Sequence, residues 1–255
     1  MPRKDVWTRE QTIIAFNLYC KIPWGQAHSR NKNVQEVAEI IGRTPSAVAR
    51  KLGNFGSLDP ELRRRNVGGL PNRSKLDEEI WNEFHENWNA LTLTSTELIA
   101  QYKHETIEQV LDIDEKELPR GADRRRFVKT RVYQDFFRKA VFAAYENTCC
   151  ITGMKITALQ VASHIIPWSK NEENRTNPEN GLCINALHDK AFDCGLITIL
   201  PDFTIRVSKQ IENKDNNLTV KNVFISIDKK PIIKPHKFLP RKEFLEYHNE
   251  HIFRK

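Results

Sequence analysis

The chain has 255 residues, enough for one large domain or two small ones and long enough to bury a core. Its 40 Lys+Arg against 33 Asp+Glu give a net charge of +7, which favours a polyanionic partner, and nucleic acid is the usual one. No run of about 18 apolar residues occurs, so no membrane-spanning helix is expected; the first residues hold no apolar core of signal-peptide length. The cysteines Cys20, Cys149, Cys150, Cys183 and Cys194 are odd in number and form no CxxC pair. That argues against a disulfide framework and against a structural Zn2+, and a reducing cytoplasm is the expected compartment.

Thr8 can cap a first helix over residues 5–20, with Glu10 and Gln11 in its first turn and Ile13, Ile14, Phe16, Leu18 and Tyr19 as apolar surface. Asn33 is placed to cap a second helix from Val34 to Ile41, stopped by Gly42. Thr44 caps a third, with Pro45 in the favoured first-turn position, running to about Gly53-Asn54. Two short helices joined by Gly42-Arg43-Thr44 read as a helix-turn-helix-like unit. In such a unit Arg43, Thr44, Ser46, Arg50 and Lys51 would meet phosphates or base edges of double-stranded DNA. A small helical packing unit with solvated cations reads equally well from the motif alone. Gly68-Gly69-Leu70-Pro71 breaks the chain.

Ser74 opens a further helix through Ile80, Trp81 and Phe84, and Thr94 or Ser95 another through Leu98 and Ile99. A linker is expected at about 110–124. Arg124 and Arg125 belong to a basic run across its end that could grip phosphates. Tyr133 to Tyr145 is a strongly amphipathic helix. Three segments follow from this reading: a helix-turn-helix-like region at 1–72, a helical connector at 73–124, and a C-terminal domain at 125–255.

Within that last segment, Cys149–Ile151 reads as a strand, Thr152-Gly153 as a turn, and Ala158–Ile166 as a second strand. A polar loop runs to Pro178, Asn180 suits a cap, and a helix is expected over Gly181–Phe192. Strands at 203–208 and 223–227 would extend the sheet, with a turn at 215–217 between them, and a short helix with His248 and His251 ends the chain. Surface placement is expected for both histidines. Hairpin, loop, helix is the order of a ββα-metal core. The fold class is α+β: a helical N-terminal region and a C-terminal ββα domain with extra strands.

Here the residues carry a resemblance. The matching pieces are Cys149-x-Ile151-Thr152-Gly153, Ala162–Trp168, Asn177-Pro178-x-Asn180-Gly181-Leu182-Cys183, and Leu187–Thr198. Their order and spacing resemble the HNH endonuclease family, and within it the predicted restriction endonuclease branch; Ile41–Pro60 and Leu239–His248 also look like that branch. The resemblance implies metal-dependent cleavage of double-stranded DNA to 5′-phosphate and 3′-hydroxyl ends. It gives His164 the general-base role, Asn180 an orienting role and His188 a metal-binding role among the catalytic residues. The cofactor it implies is Mg2+ or Mn2+. Ser163 stands where many members of the wider superfamily carry a stronger ligand, so Asp193 is the candidate for the second metal ligand. Lys170, Arg175 and Lys190 are placed to contact phosphate. Cutting both strands needs two sites, so a homodimer is expected, with a cognate methyltransferase encoded separately. Two other readings stay open: a modification-dependent or nicking nuclease of the same chemistry, and a non-catalytic helix-turn-helix DNA-binding protein.

Overall fold

In the computed structural model, residues 6–70, 72–214 and 217–255 are described. The Thr8 hydroxyl accepts from the Gln11 amide while the Gln11 side chain accepts from the Thr8 amide, a reciprocal cap that opens α1 (Arg9–Lys21). Residues 12–20 of α1 are all buried, because α1 is the central rod of the helical half. Around it lie α2 (Lys32–Ile40), α3 (Pro45–Leu58), the short α4 (Pro60–Arg64), α5 (Lys75–Phe84) and α6 (Trp88–Lys103). Phe16 has no exposed surface and meets Phe55, Trp81 and Trp88 at ring-centroid distances of 4.8, 5.3 and 6.3 Å. Such a buried aromatic contributes roughly 2–3 kcal/mol. The aromatic residues of α5 and α6 are therefore core.

Several expected boundaries move, each for a local reason. Asn31, not Asn33, caps α2, accepting from the amides of Asn33 and Val34. Asn87 caps α6, and Ser95 sits inside, accepting from Asn17 Nδ2 at 2.6 Å. α3 runs through Gly53 to Leu58 because the glycines lie where other segments cross: a Cβ on Gly69 would stand 2.0 Å from Ser57 N. The expected linker at 110–124 begins where α7 (Ile107–Val110) ends, holds a 3-10 turn at Glu115–Glu117, and overlaps the start of α8 (Ala122–Ala144), which begins well before Tyr133. The chain divides into two compact units between Ala143 and Ala144.

The C-terminal unit holds the strands. Cys149–Ile151 is a turn, closed by Gly153 N to Cys149 O at 2.9 Å. β1 (Gln160–His164) pairs antiparallel with β2 (Gly181–Asn185), setting Ser163 opposite Leu182 and His164 opposite Gly181. The helix expected from Gly181 starts only at α9 (Ala186–Asp193). Leu182, Cys183 and Ile184 are all buried, so both faces of that segment must be covered, as in a central strand. β3 (Ile197–Ile199) and β4 (Ile205–Val207) form a separate antiparallel pair and do not extend the first sheet. α10 (Lys209–Lys214) and α11 (Leu218–Val223) follow, and residues 225–227, expected as strand, make a 3-10 turn. The turn expected at 215–217 lies partly outside the described residues, as does the end of the 68–71 break. α12 (Lys242–His251) closes the chain. Among the described residues no helix is long and apolar enough to cross a membrane.

His248 is buried, against expectation. Its ring stacks on Phe192 at 3.7 Å, Nδ1 meets the Thr198 hydroxyl at 2.8 Å and Nε2 meets the Phe192 carbonyl at 3.1 Å. Gly195 has φ +71°, and a Cβ there would stand 2.0 Å from the Ile252 carbonyl oxygen, so the end of α9 and the end of the chain are packed backbone to backbone.

In the helical unit Lys51 is buried and pairs with the fully buried Asp77. Burial pushes the Lys51 ammonium down, and Asp77 pulls it back. Asp77 also accepts from Asn54 Nδ2 and Ser74 N, each at 2.9 Å. The expected result of Asp77→Ala is a loss of about 3–5 kcal/mol, because it strands a buried cation. Lys51→Met should cost less, since two donors still serve the carboxylate. Urea unfolding of both variants checks that order; equal costs would refute it.

Candidate active site

His164 ends β1, and the loop 165–180 folds back over it. The Nε2 of His164 lies 2.9 Å from the Arg175 carbonyl oxygen. A carbonyl only accepts, so Nε2 carries the proton and Nδ1 carries the lone pair. Trp168 sets its ring edge-on to the imidazole at 5.6 Å. Burial lowers the His164 pKa to about 4, with the bond to Arg175 acting in the other direction. The imidazole is thus neutral at neutral pH.

Asn180 shapes that loop. It is buried in a 3-10 turn at Pro178–Asn180. Its Oδ1 accepts from Ile166 N at 2.8 Å, and its Nδ2 donates to Ile166 O at 3.1 Å and to Asn174 O at 3.3 Å. The Asn180 carbonyl accepts from Ile165 N at 2.9 Å. Both ends of the loop are tied by one amide, one residue short of Arg175 and two residues beyond His164. Asn177 Nδ2 donates to Asn174 Oδ1 at 2.8 Å and braces the same corner.

His188 is placed differently. It is buried on α9, and its amide donates to Oδ1 of Asn185, the α9 cap, at 3.0 Å. That turns Asn185 Nδ2 toward the ring, 2.8 Å from Nδ1, so Nδ1 accepts. Nε2 then donates to the Val223 carbonyl at 3.0 Å. Both ring nitrogens are engaged inside the protein, and Phe224 covers the ring edge-on at 5.6 Å. Cys149 belongs to the same cluster, accepting from Asn185 N at 3.3 Å. Its thiol is brought down to about 6: burial raises it, and the polar surroundings at His188, Thr152 and the Thr152 and Ile151 main chain outweigh that.

Ser163, His188 and Asp193 are not brought together as a ligand set. Ser163 Oγ is buried without a hydrogen-bond partner, as a ligand oxygen would be, but His188 offers no lone pair and Asp193 is exposed at the end of α9. Among the described residues no group of three His, Cys, Asp or Glu side chains converges as a metal site. The arrangement does not fit a resident divalent ion on these residues.

The expected DNA contacts divide in the same way. Thr44, Ser46 and Arg50 are exposed on the first turns of α3. Arg43 is not: it donates to Gln11 Oε1 at 2.9 Å and to the Val6 carbonyl at 2.5 Å, and it lies over Trp7. Lys51 cannot reach DNA from its buried pair with Asp77. Arg124 pairs with Glu108 at 2.8 Å, whereas Arg125 is exposed and makes no ion pair among the described residues. Lys170 and Lys190 are exposed. Sequence reasoning missed Asn185 and Val223, which occupy His188; the Asn185 cap signal was hidden by placing the helix start five residues early.

Residues 149–200, about a fifth of the chain, match the family model of the HNH endonuclease. No curated protein matches the chain. The match spans β1, the loop, β2, α9 and β3 of the C-terminal unit.

His248, like His164, has its pKa lowered to about 4 by burial, against an ordinary 6.5. The unfolded chain therefore binds more protons between these values, and stability present above pH 6.5 is lost as pH falls toward 4. For His248 the expected loss is on the order of 3 kcal/mol. Chemical denaturation between those pH values checks it, and His248→Gln should flatten the dependence. Asn180→Ala should cost about 2–4 kcal/mol by leaving Ile166 and Asn174 main-chain groups unpaired.

Proposed function

We propose that the C-terminal unit is a metal-dependent DNA endonuclease that hydrolyses phosphodiesters of double-stranded DNA, in the restriction of foreign DNA, with His164 as general base. The observation that carries this is the Arg175 carbonyl on His164 Nε2. It fixes the tautomer, aims a lone pair from Nδ1 and keeps the ring from turning. In the step, a water gives its proton to His164 Nδ1 as its oxygen bonds to phosphorus. The bond from phosphorus to the 3′ oxygen breaks, and that oxygen leaves as a 3′-hydroxyl once protonated by solvent. Asn180 is a positioning residue: it holds the loop that holds the base. The net charge of +7 supports a nucleic-acid substrate, as do the exposed Arg50, Arg125, Lys170 and Lys190.

The family implies Mg2+ or Mn2+, but no step is routed through a metal because Ser163, His188 and Asp193 do not assemble as its ligands. A homodimer and a separately encoded methyltransferase belong to the same reading, since a double-strand break needs two sites and a restricting host must protect its own DNA.

Purified protein incubated with plasmid and Mg2+ or Mn2+ should nick or linearise it, and His164→Ala should lower the rate about 100-fold or more. Indistinguishable rates for the two proteins would end the nuclease reading and leave a DNA-binding one. Unmodified, methylated and hydroxymethylated plasmids run side by side separate plain restriction from modification dependence. The acid limb of kcat/KM should fall near pH 4, where His164 gains its proton, instead of near the ordinary 6.5.

A further inference from the structure

We infer that Arg175 is a clamp for a DNA phosphate next to the reacting one, and that Glu172 holds the phosphate's place on it in the free protein. This rests on the nuclease reading only in placing DNA at His164.

Arg175 is joined to the base through its own backbone, since its carbonyl oxygen accepts from His164 Nε2. Its side chain turns to Trp168. The guanidinium carbon lies 5.0 Å from the Trp168 ring centre, and Nε donates to the Trp168 carbonyl at 3.1 Å. Trp168 thus touches both the imidazole and the guanidinium, and the cation is tethered close to the base. The ring contact and the Nε bond hold the guanidinium beside Trp168, so less side-chain freedom remains to be lost when an anion binds.

The terminal nitrogen Nη2 points to Glu172 Oε1 at 3.1 Å. The Glu172 side chain is 80 % exposed, whereas that of Arg175 is 23 % exposed. An exposed carboxylate on a loop is a weak, salt-screened partner. It contributes little to a loop already tied by Asn180, Asn174 and Trp168. What it does supply is a pair of oxygens with the geometry of a phosphodiester's free oxygens, on a guanidinium whose planar fork suits phosphate. Without an exchange, Glu172 and its exposed neighbour Glu173 would put two like charges where a DNA backbone must come. With the exchange, Glu172 swings into solvent and the phosphate takes its place.

The test uses the full chain carrying His164→Ala, so that DNA is bound and not cut, and reads the Kd for a labelled DNA duplex across roughly 50 to 200 mM salt. Adding Arg175→Ala should weaken binding roughly tenfold and lower the slope of log Kd on log salt by about 0.9, one phosphate contact. Arg175→Lys should keep the slope. Glu172→Gln, a change at an exposed position, should tighten binding several-fold. An unchanged slope in Arg175→Ala overturns the clamp, as does the same slope loss in Arg175→Lys, which would mean a role in loop structure. Binding no tighter in Glu172→Gln overturns the exchange. Cleavage of the same duplex by the unsubstituted protein is measured alongside. Absent cleavage with a lost slope sinks the nuclease and leaves the clamp; cleavage with an unchanged slope does the reverse.

Discussion

The amide of Asn180 lies where three pieces of main chain meet, and the geometry at His164 depends on it. One end of a carboxamide donates and the other accepts. Only such a group can take the Ile166 amide on Oδ1 while giving Nδ2 protons to the carbonyls of Ile166 and Asn174. An aspartate there could not donate, and a leucine of similar volume would leave all three groups buried and unpaired. The bonds close a loop long enough to wander otherwise. Closing it brings the Arg175 carbonyl onto His164 Nε2. The tautomer of an imidazole on β1 is therefore set by an amide just before β2, through a loop carbonyl that has no side-chain chemistry of its own.

That turn is in turn held from the far end of the chain. Glu179, next to Asn180, accepts from Arg241 Nε at 2.5 Å, and the Glu179 carbonyl accepts from Arg241 N at 3.3 Å, so the start of α12 grips the turn. Further along, His248 stacks on Phe192 and bonds Thr198, and Ile252 packs against Gly195. α12 thus ties the turn before β2, the end of α9 and β3 into one piece. A small ββα core cannot bury much surface by itself. Here the C-terminal helix supplies the missing wall, and a neutral, stacked histidine does so without a charge to desolvate.

The sequence was most legible where one residue decides a local structure. Thr8, Thr44 and Ser74 cap the helices they were expected to cap, because an N-cap is read from a side chain and the amides next to it. Asn180, singled out from its place in the sequence, bonds the main chain of the loop at Ile166 and Asn174. Boundaries that depend on tertiary cover were not legible. Gly181–Asn185 looked helical because an apolar run carries no period, and only its burial on both faces makes it a strand. α3 continues past Gly53 because of what crosses it, which no local pattern records. His188 read as a ligand because its neighbours fit a motif, while the partners that occupy it, Asn185 and the Val223 carbonyl, come from a cap misplaced by five residues and from a segment mistaken for a strand.

The basic charge of the helical unit is also less available than a residue count suggests. A helix-turn-helix reading would lay α3 into a groove, but its second half is covered: Gly69 packs on the α3 backbone at Gly53–Ser57, and Trp24 lies against Gly56. Lys51 faces inward to Asp77, and Arg43 ties the start of α3 back to α1 through Gln11. What α3 can present to a groove is its first two turns, Thr44, Ser46 and Arg50. That is a small surface with one free-standing cation, suited to positioning on a backbone more than to reading many base edges. The exposed Arg125, Arg126 and Lys129 at the start of α8 lie within the same unit and supply the charge that α3 lacks. If this unit holds DNA, its affinity should come chiefly from phosphates, and its selectivity from few contacts or from the shape of the duplex.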